Sequence, residues 1–543
     1  MEVTRNLFKA LRRLRQAVGV RTIWIDALCI NQNDNVEKAS QVARMAEIYQ
    51  SCSKVWIFLS DYETEPNGPR DTRTVEETND LIWYSERPQF PLDSGYGAFA
   101  TVFDFAKSKN RHLDEIPIFK SENIPSGRQL RIVSSTAFQA LNALVETMNV
   151  DWWRRIWVLQ EAVLSPIAMV VLGSIHMPFE VFAIAATCLE IHSKCCGELL
   201  VSEPGLKQLV EKFIIAVMQI GWTRLYRKDR ADGYSPQIHH LLWQYRSHKS
   251  TDPRDMIFAL LSFITDKDDL AELAPDYTIS KKEVYKRAVL CSVRSSKKLY
   301  ILQGRRNPSI KSDMPSWIYD WSVPMKPFEW HLERQRLRNS DYLTSGEEGP
   351  YFSCNRDELS LKGIFVDLVV SIGSEMDGSR KLQVSKWRKI LRLPNEEKKS
   401  YIGGEEDLES AFWRTVTRDY TWTSTKTFQR IQDRNGHVIA GLEWLECTLN
   451  RTIFTSPTRD FENLIGNLSV GQQFFLTETG YMGMGNPEPG DQVFVLKGGD
   501  VPFILRSGVE KGSEYYSIVG DCYVHGIMDG EVARGEWRDV VLR

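Results

Sequence analysis

Two acidic residues, Asp26 and Glu161, lie in sequence contexts where a carboxylate could take part in catalysis or ligand binding. Asp26 interrupts an apolar run at residues 22–30, and a carboxylate in such a run needs hydrogen-bond donors or a cationic partner. It is therefore either an acceptor that anchors the following loop or a residue that faces a pocket. Glu161 follows Trp153 and Trp157 at spacings of four residues. On a helix this spacing places both indoles and the carboxylate on one face, where the indoles would partly desolvate the carboxylate.

A structural role is the simpler explanation for part of this pattern. Tryptophans at helical spacing are typical of a core, and Glu161 can pair with Arg154 on a solvated face. No spacing typical of a catalytic pair is found at His239, His240 or His525. The sequence therefore gives no support to a Ser-His-Asp or Cys-His mechanism.

The segments around Asp26 predict the start of an α/β domain. Residues 22–30 are a short apolar run typical of a buried strand. The polar residues 31–35 are expected to form a turn that caps a helix at about 36–52. A second buried strand is expected at 54–60, and strand, helix and strand in this order predict a parallel sheet.

The segments around Glu161 extend this domain. A polar loop is expected at 61–79 and a helix at 136–148. Asp151 is expected to cap a further helix that carries Glu161, and a buried strand is expected at 167–172.

The rest of the chain predicts helices followed by a small β unit. Residues 179–296 carry mostly helical patterns, and 308–327 are rich in proline and tryptophan, as in a linker that docks aromatic side chains. The expected domains are 1–178 (α/β), 179–307 (mostly helical), 308–355 (linker) and 356–543 (a mixed region ending in a small β domain). We expect 356–543 to be accessory to function, because it shows no clustered acids, histidines or metal ligands.

Composition excludes several classes of protein. The 543 residues carry a net charge of −3, with 68 basic and 71 acidic residues, so neither nucleic acid nor an anionic membrane is an expected partner. The basic amphipathic start, residues 1–21, is expected to be a helix packed on the sheet and not a targeting sequence. We expect a cytoplasmic protein.

Cysteine usage indicates reduced thiols. Cysteines number 9, an odd count spread over a long chain, which argues against a disulfide framework. The tightest group is His192, Cys195 and Cys196, whose adjacent cysteines lack the spacing with which two thiolates hold one zinc ion. We therefore expect no metal site.

The chain resembles the fungal heterokaryon-incompatibility (HET) family. Two N-terminal blocks and several later segments match members of that family in residue type and spacing. The matching residues are Leu14, Arg15, 23–32, Glu37, Lys38, Gln41, Val42, Met45, Ile48, Tyr49, Trp153, Arg154, Arg155, Trp157, Gln160, Glu161, 254–259, 275–277, Tyr523, His525, Gly526, Met528 and Gly530. The resemblance implies a role in nonself recognition that triggers programmed cell death through protein partners.

The HET domain in turn resembles the Toll/interleukin-1-receptor (TIR) domain, a flavodoxin-like parallel sheet, and some TIR domains cleave NAD. In those members a glutamate lies on a helix after a tryptophan-containing segment and before a buried strand, as Glu161 does here. The resemblance implies that Glu161 is the catalytic carboxylate of an NAD glycohydrolase. It also implies a pocket for NAD as substrate, with no bound cofactor, formed by Asp26, Asn31, Gln32 and Trp157.

One departure from the family affects the expected fold. Members usually begin with a strand containing an Ala-Leu-Ser-Tyr-x-Trp-Gly-like segment, and nothing upstream of Thr22 matches it. We therefore expect a TIR-like parallel sheet without its first strand, either because coding sequence continues upstream or because this is a truncated, inactive copy. A missing strand would expose a sheet edge. A non-enzymatic signalling or assembly module is the alternative function.

Overall fold

The computed structural model divides the chain into two compact units. The described residues are 3–16, 18–60, 95–107, 112, 115–116, 135–195, 205–228, 236–306, 313–325, 341–393, 399–402, 404, 406–422, 428–447, 456–510 and 512–543. The first unit comprises Met1–Pro236 and Gln244–Ser280, and the second comprises Gln237–Trp243 and Lys281–Arg543. The loop expected at 61–79 lies outside the described residues.

A small sheet forms in the first unit. Strands β1 (Val55–Ser60) and β2 (Ala168–Leu172) pair in parallel, with Ile57 opposite Val170. Both are short apolar runs, and the sequence predicts both as buried strands. A parallel sheet is confirmed, but it joins β1 to β2, whereas the sequence argument placed the parallel pair at 22–30 and 54–60. Strand β3 (Ile175–Pro178) then pairs antiparallel with β2, so the order is β1-β2-β3. This third strand follows β2 through a tight turn, and the sequence pattern did not predict it.

Helices dominate the first three hundred residues. They are α1 (Arg5–Leu14), α2 (Asp26–Cys29), α3 (Asn35–Ser51), α4 (Gly95–Lys107), α5 (Ser135–Met148), α6 (Phe179–Cys195), α7 (Leu206–Lys228), α8 (Ile238–Gln244), α9 (Asp255–Phe258), α10 (Lys267–Glu272) and α11 (Lys281–Ser296). The mostly helical middle region is therefore confirmed, as are the helices expected at 36–52 and 136–148. Within the described part of the chain, no helix is long and apolar enough to cross a membrane.

The strand expected at 22–30 is wrong. Residues 20–25 have no strand pairing, and the short helix α2 begins at Asp26. The Asp26 carboxylate accepts a hydrogen bond from the N–H of Ala27 at 2.7 Å. Such a local bond between an aspartate and the backbone competes with strand pairing. The apolar side chains still contribute to packing, because Ile23 packs against the cluster of Leu14 and Val171.

The helix expected from Asp151 through Glu161 is also wrong. Residues Asp151–Arg154 form a 3-10 turn, and Arg155 then pairs with Lys249 in an isolated parallel bridge. A π-helical turn follows at Gln160–Leu164. Contacts with residues far along the chain therefore shape this stretch more than its own helical periodicity.

The second unit is built around a closed ring of strands. Its strands are β4 (Phe352–Asn355), β5 (Glu358–Ile372), β6 (Tyr420–Trp422), β7 (Phe428–Arg430), β8 (Gln473–Thr477), β9 (Met482–Gly485), β10 (Gln492–Leu496), β11 (Phe503–Glu510), β12 (Ser513–Asp521), β13 (Tyr523–Val524) and β14 (Arg538–Leu542). The ring runs β5-β10-β11-β12-β14 and returns to β5. Each strand of the ring therefore has two paired neighbours, although β12 and β14 meet only at Tyr516 and Leu542.

Helices and large aromatic side chains complete the second unit. Besides α11 and most of α8, the described helices of this unit are α12 (Arg380–Ile390), α13 (Leu408–Val416), α14 (Arg434–Glu446) and α15 (Ser456–Leu468). Trp387, Trp413 and Trp444 are fully buried among them. Trp317 and Trp321, from the stretch expected to be a linker, are also fully buried. The fold class is thus confirmed as mixed α/β, with a small parallel sheet, a mostly helical middle and a C-terminal sheet.

Candidate functional site

Glu161 lies in the irregular stretch between α5 and β2. It is part of the π-helical turn Gln160–Leu164, and by surface area it is only partly buried. Single π-helical turns are frequent at functional sites, because they place a side chain where a regular helix would not. The indole N–H of Trp152 donates to Glu161 Oε2 at 2.7 Å and fixes the direction of the carboxylate.

The surroundings of Glu161 disfavour its negative charge. Burial raises the pKa of Glu161, and the nearby carboxylate of Asp26 raises it further. The positive charge of Arg155 and the hydrogen bond from Trp152 act in the opposite direction and lower this pKa. Glu161 is therefore a partly desolvated carboxylate that is subject to both the negative charge of Asp26 and the positive charge of Arg155.

Tyr49 completes the group from the C-terminal half of α3. Burial raises its pKa well above the ordinary value, with further increases from Glu161 and Asp26 and an opposing effect of Arg155. The ring of Trp24 packs edge-on against Tyr49, with centroids 5.7 Å apart. We define the carboxylate site as Trp24, Asp26, Tyr49, Trp152, Arg155 and Glu161.

The loop expected to flank the pocket is anchored to both neighbouring helices. Asp34 caps α3 with its side chain, and the N–H of Asn31 donates to Glu37 Oε1 at 3.0 Å. The side-chain amide of Gln32 donates to the carbonyl of Asp26 at 3.5 Å. No hydrogen bond between described residues joins Asn31 or Gln32 to Glu161. Their role in binding NAD stays a prediction.

The common helix face expected for Trp153, Trp157 and Glu161 is wrong. Trp153 is buried and donates to the carbonyl of Thr147 at 3.1 Å, whereas the indole N–H of Trp157 donates to Asp255 Oδ2 at 3.0 Å. The 3-10 and π turns change the rotation per residue, and the N–H groups of these two indoles bond to partners other than the Glu161 carboxylate. Trp157 remains partly exposed, and its contact with a substrate stays a prediction.

Sequence reasoning missed Trp152, Tyr49 and Arg155. Trp152 directly precedes Trp153, and helical spacing selected the wrong member of the pair. Tyr49 recurs with Val42 and Met45 on one face of α3, so helical periodicity predicts only packing for it, although its hydroxyl is a signal that it can also face a polar group. Arg155 is exposed, and its position beside Glu161 follows from the turn geometry.

The carboxylate site can stabilise positive charge on a ligand. An oriented carboxylate that water solvates poorly interacts strongly with a charge that develops beside it. Arg155 is exposed beside it, where a cation can pair with phosphate groups. The described residues contain no group of three or more His, Cys, Asp or Glu side chains that could hold a metal ion.

Comparison with known proteins gives matches at both ends of the chain. Residues 1–161 match the family "Heterokaryon incompatibility protein (HET)", and residues 458–542 match the "Het-6 beta-barrel domain". The chain is 24% identical to "Heterokaryon incompatibility protein 6, OR allele" of Neurospora crassa, in an alignment covering 98% of this chain and 85% of that protein. No solved structure matches the chain significantly.

Proposed function

Because the chain belongs to the fungal heterokaryon-incompatibility family, we propose that it acts in nonself recognition and triggers programmed cell death by cleaving NAD. The observation that carries the enzymatic part is the desolvated Glu161 carboxylate, which Trp152 holds beside Asp26, Tyr49 and Arg155. The similar protein of Neurospora crassa has a name that supports the role in incompatibility.

Cleavage of NAD requires one well-placed carboxylate. Breaking the bond between nicotinamide and ribose places oxocarbenium character on the ribose, and an ionised Glu161 stabilises that charge as in glycoside hydrolysis. Nicotinamide leaves as a neutral molecule with the bonding electron pair and needs no proton. Water then adds to the ribose carbon and releases a proton, so the products are nicotinamide and ADP-ribose.

A second candidate function is a non-enzymatic assembly module. The bond from Trp152 already satisfies one oxygen of Glu161, which also fits a purely structural carboxylate. In that case the surfaces of the first unit would recruit partners, and a truncated, inactive member would behave in the same way. The two functions differ in whether NAD disappears.

Inducible expression of the chain in fungal cells tests the proposed function. We expect total NAD to fall before viability does, because depletion is the proposed cause of death. Death at undiminished NAD would contradict the enzymatic proposal and favour the assembly module. A strain that produces the same amount of the Glu161→Gln variant is the matched control, and it should keep both its NAD and its viability.

The pH dependence of nicotinamide release gives a further prediction. Ionised Glu161 is the active form, and burial raises its pKa above the ordinary value of a glutamate, so the rate should rise with pH through that raised pKa. Trp152→Phe removes a hydrogen-bond donor that lowers the pKa of Glu161, so the rise in rate should occur at higher pH in this variant. A pH–rate profile that is the same in both proteins would contradict the assignment.

The same pKa shift predicts the direction of a stability change. A carboxyl whose pKa is raised on folding contributes stability that is present below its unfolded pKa and is lost as pH rises through the folded value. Glu161 should therefore make the first unit less stable above that range, and Glu161→Gln should remove this part of the pH dependence. Melting curves of both proteins across the acid range measure the difference.

A further inference from the structure

The segment Gln244–Ser280 belongs to the first unit, although the HET match ends at Glu161. Its backbone pairs with the stretch that leads to the candidate site. The N–H of Lys249 donates to the carbonyl of Arg154 at 2.6 Å, and the N–H of Ile156 donates to the carbonyl of Lys249 at 2.9 Å. This bridge fixes the chain directly after the 3-10 turn that carries Trp152.

Side chains extend the connection to the residue before Glu161. The indole N–H of Trp157 donates to Asp255 Oδ2 at 3.0 Å, and the side-chain amide of Gln160 donates to the carbonyl of Ala259 at 3.1 Å. Gln160 is buried and opens the π turn, so this bond holds the backbone from which the Glu161 side chain projects. An irregular turn lacks a full ladder of its own bonds, and outside contacts therefore set its position.

Asp255 is itself held in place from the other side. It is 6% exposed, and its Oδ1 accepts a hydrogen bond from the hydroxyl of Tyr277 at 2.6 Å. The guanidinium of Arg254 donates to the carbonyl of Tyr277 at 2.6 Å and pairs with Asp252 at 2.7 Å. Each oxygen of the Asp255 carboxylate thus has one donor, and only the donor Trp157 belongs to the stretch that carries Glu161.

Helix α3 is joined to the same segment. The ammonium of Lys38 lies 4.1 Å from the ring centroid of Tyr277 and 3.7 Å from Asp252 Oδ2. Because α3 also carries Tyr49, residues 252–277 connect to both sides of the carboxylate site. Both connections lie within the first unit.

We propose that Asp255 is a positioning residue, which acts through Trp157 to hold Glu161 in the geometry that NAD cleavage requires. This inference rests on the proposed function. It makes 244–280 an integral part of the catalytic domain, so that residues 1–161 alone do not hold the site in its active geometry. Asp255 has no contact with the reacting atoms in this account.

Two matched variants test the proposal. Trp157→Phe and Tyr277→Phe each remove one donor from the same buried carboxylate, so each should lower the melting temperature by a similar amount. Only Trp157→Phe loosens the stretch that carries Glu161. It should lower kcat for nicotinamide release by about tenfold to a hundredfold with little change in KM, whereas Tyr277→Phe should retain most of its kcat. Equal loss of kcat in both variants would overturn the proposal. A raised KM with unchanged kcat in Trp157→Phe would show a direct contact of Trp157 with NAD and would also overturn the positioning role.

Carbodiimide labelling of Glu161, read by mass spectrometry in the full chain, gives a readout independent of activity. The fraction of Glu161 that becomes labelled should differ from that of the wild-type chain in Trp157→Phe and should be the same as in the wild-type chain in Tyr277→Phe. If neither variant changes it, the positioning role is wrong even when NAD is cleaved. If the wild-type chain releases no nicotinamide but labelling changes as expected, the proposed function fails and the structural connection stands.

Adding Asp255→Asn to Trp157→Phe should lower kcat no further than Trp157→Phe alone.

Discussion

Replacing Asp419 with asparagine is expected to destabilise the second unit by about 1.5–3 kcal/mol, because Arg414 and Arg430 lose the buried carboxylate that they share and keep only Glu406 and Asp529 respectively. The Asp419 side chain is 3% exposed and pairs with Arg414 Nε at 2.6 Å and Arg430 Nε at 2.8 Å. Asp419 has a φ of 61°, and asparagine tolerates this left-handed conformation as well as aspartate does. The substitution therefore removes charge without adding backbone strain. Urea denaturation of the wild-type chain and of the variant measures the loss.

Asp529 provides the matched control for this prediction. It pairs with Arg430 Nη2 at the same 2.8 Å, but its side chain is 53% exposed. Water screens an exposed pair, so Asp529→Asn should cost no more than about 1 kcal/mol. Equal losses in the two variants would show that burial of Asp419 does not set the strength of the pairing.

Local patterns in the sequence predicted the regular elements of the first unit. The stripe on α3, with Val42 and Met45 buried, follows the helical period, and Asp34 marks its start. Strands β1 and β2 are short apolar runs between polar segments, which makes them recognisable without any partner. For these elements local propensity and tertiary packing favour the same structure.

The candidate site depends on contacts that no local pattern contains. Trp157 and Asp255 lie 98 residues apart in sequence, and the bond between them helps to replace the expected helix with turns. Helical spacing therefore identified Glu161 but paired it with the wrong indoles. The apolar run around Asp26 has the composition of a strand, yet the local bond to Ala27 favours α2 instead. In both places an interaction of one polar side chain outweighs the periodicity.

Replacing Glu161 with glutamine is expected to lower NAD cleavage by about 10²–10³-fold, because the carboxylate is the charge that stabilises the oxocarbenium ion. Glutamine keeps the shape and can still accept the indole N–H of Trp152. Because burial disfavours the ionised form, its removal should leave the melting temperature at neutral pH unchanged or slightly higher. A purely structural Glu161 would instead cost about 1–3 kcal/mol through a broken hydrogen bond.

Glu146 offers a matched control for this substitution. It is an exposed glutamate on α5 whose Oε1 accepts a hydrogen bond from Asn142 at 3.2 Å. Glu146→Gln makes the same chemical change within the first unit but outside the carboxylate site. It should leave both the melting temperature and NAD cleavage unchanged, and a loss of cleavage in this variant would show that the assay responds to charge in general.

The most direct test of the account is nicotinamide release from NAD by the purified wild-type and Glu161→Gln proteins, each measured as isolated chains and after forced oligomerisation. Equal folded concentrations, established by melting curves, make the two rates comparable. We expect release by the wild-type chain, at least in the oligomer, and its near-complete loss in Glu161→Gln. Equal release from both proteins, or none from the wild-type chain in either state, would contradict the claim that Glu161 cleaves NAD.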